Sequence, residues 1–368
     1  MNREVPVKIQ KAANWTAPRI GARQIKLLEK LSNAIGVSGD ESAIREIVLE
    51  EIKSMVDDIK IDAIGNIIAT KQGKGENLPK VMLAAHLDEI GFMITNDDGK
   101  GLFRFSMVGG IDTRELAGKP VIVGLEQIPG VIGTKPIHLA KAGELKKDIS
   151  LDALRIDLGP DIGSKVKIGD WATFATKFKR IGPSLRGKAI DDRVGVTTLI
   201  TLLENAPTNI DLLAAFTVQE EIGLRGARVA AFTLNPDLAF VLDTTPAMDI
   251  PVWDGSENTL YRTKVEHGPA IYIADGVTLS DPRLVNLLKN IGDVYNIPYQ
   301  FRQPGGGGTD AGAIHKQRSG IPSVSVSVPC RYLHTAASIM RLNDWKNSVA
   351  LLHAALCHID ESIFSIDR

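Results

Sequence analysis

The sequence predicts an α/β protein in which helices cover both faces of a mostly parallel β-sheet and a small β-rich unit is inserted. Three observations support this prediction. Short, continuous apolar runs recur along the chain, as is typical of buried parallel strands. Segments with helical spacing of apolar residues separate these runs, and alternating strands and helices favour a parallel sheet covered on both sides. Residues 97–183 form one β-rich block between α/β segments.

The first 96 residues are predicted to form an irregular leader, a helix and a strand. The first twenty or so residues have no clear periodicity. The segment "ESAIREIVLEEIKSMV" (41–56) repeats apolar residues at helical spacing, with Ser38, Asp40 and Ser42 nearby as candidate capping residues. The run "KVMLAAH" (80–86) then predicts a buried parallel strand.

The middle of the chain has a different pattern. Glycine and proline punctuate short β-rich pieces such as "FRFSMVG", "KPVIVGLE" and "DWATFAT", which is typical of a small barrel or sandwich. We therefore predict a discontinuous α/β domain, residues 1–96 and 184–368, and an inserted domain, residues 97–183.

The second half returns to the α/β pattern. Buried strands are predicted over 211–219, 237–243, 269–275 and 321–329, and helices around 193–205, 280–292, 310–317 and 342–365.

Composition excludes several classes of protein. Lys and Arg total 43 and Asp and Glu total 44, so the chain has no bulk electrostatic reason to bind nucleic acid or an anionic membrane. It contains no apolar run of the length that a membrane-spanning helix needs, and its N-terminus lacks the apolar core of a signal peptide. Cys330 and Cys357 provide no disulfide framework and suit a reducing cytoplasm, which is the expected location.

Ionisable residues occur where the predicted strands end, and ligands bind beyond the carboxyl ends of strands in open parallel sheets. Taken singly, each residue has a structural explanation, such as a helix cap or solvated surface. Taken together, imidazoles and carboxylates at one sheet edge favour a site for two zinc ions. The residues are His86, Asp88, Asp191, Asp192, Glu220, Glu221, Asp243 and His334.

The adjacent pair Glu220–Glu221 fits metal-assisted hydrolysis. A carboxylate bound to a metal is a poor proton acceptor, so a second carboxylate is needed as the base. One glutamate can therefore bind a metal while the other accepts the proton. The spacing of His86 and Asp88 lets the aspartate orient a metal-binding imidazole.

Six motifs together resemble a known family. They are "AAHLDEIGFM", "GKAIDDRVG", "FTVQEEIGLRGA", "VLDTTPA", "GGGGTDAGAIH" and "PCRYLHT". In this order and spacing, over about residues 28–360, they resemble the co-catalytic metallopeptidases known as tetrahedral, glutamyl or deblocking aminopeptidases, some of which have been labelled cellulases. The resemblance implies a three-layer α/β/α sandwich with an inserted small β-barrel domain for dimerisation and substrate access.

The resemblance also implies a role for each site residue. Glu220 corresponds to the general base, and Asp88 to the partner of a metal-binding histidine. The Asp191–Asp192 peptide bond is expected to be cis, as in related peptidases. The metal ligands implied are His86, Asp191 (bridging both metals), Glu221, Asp243 and His334.

The implied activity is removal of N-terminal residues from short peptides. Two divalent metal ions per chain activate the attacking water in this family; zinc is expected here, with cobalt and manganese as alternatives. The resemblance implies self-association into a homododecamer built from dimers.

Three further residues are candidates for substrate binding. The segment "PGGGGTDAG" (304–312) is either a plain flexible loop or a loop that lets backbone approach a ligand, and the resemblance favours the second. Gly308 and Asp310 belong to it, and Arg331 is a candidate for shaping the pocket.

Two alternative functions are retained. A glycoside hydrolase of the endoglucanase type needs two carboxyl groups across a sugar-binding cleft, but aromatic content is 5% and two histidines accompany the acids, which favours a metal site. A non-catalytic assembly protein of the same fold would be expected to lack a ligand or the base, and none is missing.

Overall fold

A computed structural model describes residues 9–140, 143, 148–160, 165–256, 258 and 263–365. Its helices are α1 (Ala22–Asn33), α2 (Ser42–Ile52), α3 (Ile190–Glu204), α4 (Arg225–Leu234), α5 (Pro282–Tyr295), α6 (Ala311–Ile314) and α7 (Leu342–Cys357). Its strands are β1 (Asp58–Ile61), β2 (Ile67–Lys71), β3 (Lys80–His86), β4 (Gly91–Gly99), β5 (Leu102–Val108), β6 (Pro120–Val123), β7 (Ile128–Gly133), β8 (Arg155–Asp157), β9 (Trp171–Phe174), β10 (Lys179–Ile181), β11 (Ser184–Gly187), β12 (Asp211–Thr217), β13 (Leu238–Pro246), β14 (Ala270–Tyr272), β15 (Gln300–Arg302), β16 (Ser323–Arg331) and β17 (Ser338–Arg341).

One large mixed sheet forms the centre of the molecule. Its strand order is β1-β2-β12-β3-β13-β16-β17-β11-β10, and β14 and β15 extend it from β16. The neighbours β12, β3, β13 and β16 are parallel, as is the pair β14–β15, while the outer strands pair antiparallel. The expectation of a mostly parallel sheet thus holds for the central strands. The outer strands differ because short hairpins, which can only join antiparallel strands, connect several of them.

Helices cover both faces of this sheet, so the predicted α/β fold is confirmed. Alternate residues of β3 point to opposite faces, as strand geometry requires. Val81 and Leu83 belong to one core cluster with residues of α1, α2, α3, α5 and α7, whereas Met82 and Ala84 belong to another with residues of α4 and α6. In the described part of the chain, no helix is both long and apolar enough to cross a membrane.

The inserted unit is a closed barrel of six strands in the order β4-β5-β8-β7-β6-β9. It has its own core, in which the Phe92 ring packs edge-on against Phe105 and Phe174. The barrel strands run from Gly91 to Phe174. They therefore begin and end earlier in the chain than the inserted domain predicted from the sequence, residues 97–183. The difference arises because β4 continues the apolar run of β3, while β10 and β11 join the large sheet by pairing with β17.

The chain enters and leaves the barrel at one point. Glu89 precedes β4, and its Oε2 accepts a hydrogen bond of 3.1 Å from Thr173 Oγ1 on the last barrel strand. Both Glu89 oxygens also accept bonds of 2.8 Å from Lys188 Nζ. All three side chains are buried, so a charged cluster joins the barrel to the α/β domain.

The leader packs onto the outer helices. Residues 9–21 contain no helix or strand, and residues 1–8 lie outside the described chain. The Trp15 ring stacks edge-on against Tyr295 of α5, with centroids 4.6 Å apart, and its Nε1–H donates to His353 Nδ1 of α7 at 3.0 Å. The leader therefore covers part of the helical layer.

Candidate metal centre

The ionisable residues singled out from the sequence converge at one edge of the sheet. Parallel pairing places Thr217, the last residue of β12, opposite His86, the last residue of β3. Glu220 and Glu221 follow β12 directly, and Asp243 lies on β13 on the other side of β3. The carboxyl ends of three adjacent strands thus supply one imidazole and three carboxylates.

Asp191 lies between two imidazoles. Its Oδ1 is 3.2 Å from His86 Nε2, and its Oδ2 is 3.4 Å from His334 Nε2. One oxygen therefore faces each histidine, which is the arrangement that a carboxylate bridging two cations requires. The Asp191–Asp192 peptide bond is cis, as expected.

The other acids are distributed over the two histidines. Asp243 Oδ1 is 4.0 Å from His86 Nε2, and Glu221 Oε2 is 3.6 Å from His334 Nε2. Potential ligand atoms lie within 4.8 Å of one another in two groups, one formed by His86, Asp192 and Asp243 and one by Asp191, Glu221 and His334.

Asp192 was not assigned a ligand role from the sequence. Its Oδ1 accepts the backbone N–H of Gly195 at 2.9 Å, as a residue in the first turn of a helix can. Its Oδ2 is buried and, within the described chain, has no hydrogen-bond partner. In the sequence, only its position next to Asp191 could have indicated a metal-binding role for Asp192. The same position is also typical of a helix cap.

Backbone carbonyls orient both imidazoles. His86 Nδ1 lies 3.1 Å from the carbonyl oxygen of Asp88, and His334 Nδ1 lies 2.8 Å from that of Gly110. A proton on Nδ1 leaves the Nε2 lone pair facing the acids, as metal binding requires. The Asp88 carboxylate, which the sequence suggested as the partner of His86, is 3.6 Å from Nδ1, which is the distance of an ion pair rather than of a direct hydrogen bond.

The Asp88 carboxylate instead organises the turn after β12. Its Oδ1 accepts the backbone N–H of Glu220 at 2.9 Å, and its Oδ2 accepts that of Glu221 at 3.1 Å. Ser38 Oγ donates a third bond at 2.6 Å. Burial alone would raise the pKa of Asp88, but His86 and these donors outweigh burial and lower it. Asp88 is therefore a fixed anion.

The electrostatics of the cluster favour a bound cation. Burial, reinforced by neighbouring acids, raises the pKa of Glu221 to about 7 and raises those of Glu220 and Asp243 well above their usual range. Carboxylates crowded in this way repel one another, and divalent cations reverse that effect. The donor set of imidazoles and carboxylates fits zinc and similar metals.

Glu220 stands apart from both ligand groups. It lines an open cavity of about 760 Å³ together with His86, Asp191, Glu221, Asp243 and His334. Among the described residues, no hydrogen bond or ion pair engages its carboxylate. This side chain is therefore available to accept a proton.

The three candidate substrate residues have different positions. Gly308 lines the cavity. Asp310 is buried beneath it and accepts a hydrogen bond of 2.5 Å from Thr217 Oγ1. Arg331 pairs with Asp249 at 2.8 Å and lines a neighbouring cavity instead. The structure thus brings one of the three into the cavity wall.

Comparisons with known proteins agree on one family. The model of the M42 glutamyl aminopeptidase family matches residues 65–351. The lysyl aminopeptidase of Pyrococcus furiosus is 30% identical over 343 residues, which cover 90% of this chain and 96% of its own.

Solved structures of high similarity give the same result. An aminopeptidase from the archaeon Desulfurococcus kamchatkensis superposes with a TM-score of 0.88 at 33% identity, covering 94% of this chain and 98% of its own. The TET1 peptidase of Pyrococcus horikoshii, described as able to assemble into a tetrahedron or a large octahedral shell, superposes with a TM-score of 0.80 at 34% identity, covering 91% and 100%.

Proposed function

Because this chain belongs to the M42 glutamyl aminopeptidase family, we propose that it removes N-terminal residues from short peptides with the help of two divalent metal ions. One observation carries this proposal. The Asp191 carboxylate presents one oxygen to each of two histidines, 3.2 and 3.4 Å away, in the wall of an open cavity.

Each metal would have its own set of ligands. His86 and Asp243 would hold one ion and His334 and Glu221 the other, with Asp191 shared between them. When bound, the two ions would supply Lewis acidity that polarises the peptide carbonyl and lowers the pKa of water towards neutrality. Zinc suits these ligands, and cobalt and manganese are alternatives.

Glu220 would act as the general base. Its carboxylate faces the cavity, and its backbone is fixed by the bond to Asp88. One of its carboxylate oxygens would take a proton from the attacking water and then deliver it to the nitrogen of the leaving amine. General acid–base catalysis of this kind contributes about 10²–10⁴-fold.

The substrate would enter between the two domains. Gly110 and Glu115, near the barrel, line the cavity together with residues of the α/β domain. When bound, the two cations would, together with the acids at this end of the cavity, provide partners for a free α-amine. This arrangement favours cleavage at the N-terminus over cleavage within a chain.

An aminoacyl-p-nitroanilide panel tests this function. Metal-stripped protein should be inactive, and zinc, cobalt or manganese should restore cleavage. Cello-oligosaccharides test the glycosidase alternative in parallel, and their cleavage without any release of p-nitroaniline would overturn the proposal.

The active enzyme would be a particle of twelve chains built from dimers, in which the barrel supplies dimer contacts. Family resemblance supports this assembly, as does the similarity to the TET1 peptidase. Exposed apolar side chains on the barrel, Leu125 and Ile168 among them, offer surface for such contacts.

A further inference from the structure

Arg193 is a fully buried arginine near the start of α3, two residues after Asp191. Its Nη2 lies 3.4 Å from Glu89 Oε1, and its Nε donates to the carbonyl oxygen of Leu31 at 3.3 Å. Arginine is almost never fully buried unless it is paired. The contacts of this guanidinium therefore indicate what it does in the fold.

The guanidinium binds the loop that follows β3. Its Nη1 donates to the carbonyl oxygen of Leu87 and, at 3.3 Å, to that of Asp88. The same Asp88 carbonyl oxygen lies 3.1 Å from His86 Nδ1. One carbonyl therefore links Arg193 to an imidazole of the candidate metal centre.

Arg193 also relates the two sides of one metal site. Asp191 lies two residues before it in the chain, and Asp191 Oδ1 is 3.2 Å from His86 Nε2. The other histidine is held differently, since His334 Nδ1 lies 2.8 Å from the carbonyl oxygen of Gly110. Within the described residues, no hydrogen bond or ion pair joins Arg193 to His334 or Gly110. The arginine is thus connected to one of the two sites.

We infer that Arg193 is a positioning residue for the metal ion beside His86 and not for the ion beside His334. It holds the Asp88 carbonyl that orients the His86 ring, so that the Nε2 lone pair faces the ion. The inference rests on the proposed metal-dependent function. Its consequence is that the two ions depend unequally on this arginine.

Pairing with Glu89 alone does not explain this arginine. Lys188 Nζ is already 2.8 Å from both Glu89 oxygens, closer than Arg193 Nη2. Lys188 is also buried, and its further bond goes to the carbonyl oxygen of Ala34 at 2.7 Å rather than to the loop after β3. If a neutral side chain replaces Arg193, the Glu89–Lys188 pair remains and no buried charge is left without a partner.

Zinc binding to Arg193→Met tests the inference. Metal-free protein would be titrated with Zn²⁺ against a competing chelator, with metal content per chain measured by mass spectrometry. The wild type should bind two ions. Arg193→Met should bind one ion with wild-type affinity and the other about 10- to 100-fold more weakly, the usual effect of removing a group that supports a metal ligand.

Double variants identify the affected site. If Arg193 acts through His86, Arg193→Met should add little to the loss of zinc affinity in His86→Ala, because both changes remove the same interaction. Combined with His334→Ala, it should add its full effect. Equal additional losses on the two backgrounds would overturn the inference.

Lys188→Met is the matched control. It removes a second buried cation that contacts Glu89 but leaves the loop after β3 bound to Arg193. Both zinc ions should bind with wild-type affinity, whether or not the Tm falls. Equal weakening of zinc binding in Lys188→Met and Arg193→Met would show a general effect of the buried charges and would contradict the assigned role.

Arg193→Lys repeats the test in a variant that keeps the charge beside Glu89. An ammonium lacks the planar fork of a guanidinium and cannot bind Leu31, Asp88 and Glu89 together. One ion should therefore bind more weakly than in the wild type, by a smaller factor than in Arg193→Met. Wild-type affinity for both ions in every folded Arg193 variant would refute the inference. A wild-type protein that binds no zinc would instead overturn the proposed function.

Discussion

Asp88 Oδ1 accepts a hydrogen bond of 2.9 Å from the backbone N–H of Glu220, so the loop after β3 fixes the turn that carries the candidate general base. Asp88→Asn would place an amide N–H₂ group against a backbone N–H. We expect kcat/KM to fall about 10- to 100-fold, as for other residues that support metal ligands. Asp281→Asn is the control, because Asp281 also accepts a backbone N–H but at the start of α5. It should leave kcat/KM unchanged, and equal losses in both variants would contradict the assignment.

Glu220 and Glu221 should respond differently to the same substitution. Glu220→Gln should retain both metals and lose about 10²–10⁴-fold in kcat, because an amide cannot take the proton. Glu221→Gln should lose metal, since Glu221 lies 3.6 Å from His334 among the ligands. Metal analysis by mass spectrometry and steady-state kinetics on both variants distinguish these roles. If Glu220→Gln lost metal and Glu221→Gln kept it, Glu221 would be the base and Glu220 the metal ligand.

Metal removal should abolish activity and lower the thermal stability. Without cations, the acids that surround His86 and His334 repel one another, and a ligand that binds only the folded state stabilises it. We expect two metal ions per chain by elemental analysis and a Tm that rises with metal concentration. A stripped sample with the same Tm and activity as the loaded protein would count against a metal centre.

The assembly should contain twelve chains. Light scattering should give a mass about twelve times that of one chain, and Leu125→Glu combined with Ile168→Glu should give smaller species, because both side chains are exposed on the barrel. A monodisperse wild-type monomer at micromolar concentration would refute the assembly.

His353 should make the stability sensitive to acid. Its Nδ1 accepts the Trp15 Nε1–H at 3.0 Å, which requires the neutral ring, whereas its Nε2–H can donate to the carbonyl oxygen of Asn205, 3.1 Å away, in either charge state. Burial lowers its pKa despite the Asn205 carbonyl. A lowered folded-state pKa gives stability that is present above about pH 6.5, the ordinary histidine value, and is lost as the pH falls through the folded-state value.

Glutamine can reproduce both contacts without titrating. The difference in Tm between pH 7 and pH 5 should therefore be smaller in His353→Gln than in the wild type. His267→Gln, at an exposed histidine, should keep the wild-type difference. Identical pH profiles for His353→Gln and the wild type would contradict this role.

Much of the central fold could be predicted from the sequence because strand signals there are local. The run 80–86 coincides with β3, and 211–219 contains β12, since both are continuous apolar stretches. Helices α1 and α4 were not predicted. In α4 the buried face consists of one glycine and three alanines, so the segment lacks the large apolar residues that usually mark a core helix in a sequence.

The part of the candidate site that could be predicted consists of residues at the carboxyl ends of predicted strands. His86, Glu220 and Asp243 could be placed at one sheet edge by topology alone. The contact between His334 and Gly110 could not, because it joins residues 224 positions apart in sequence across two domains. Arg302 and Tyr272, which also line the cavity, were missed, since burial in a cavity wall is not visible in the sequence.

The bond between Glu89 and Thr173 has a consequence for how this architecture varies. Since the entry and the exit of the barrel meet at one pair of side chains, the barrel is inserted in the chain as a surface loop would be, although a replacement must still supply the carbonyl that Gly110 presents to His334. The module can be lengthened, shortened or exchanged for another without altering the order of the catalytic elements. Chimaeras that exchange the barrel should therefore be joined beside Glu89 and Thr173, whose side chains hydrogen-bond to each other.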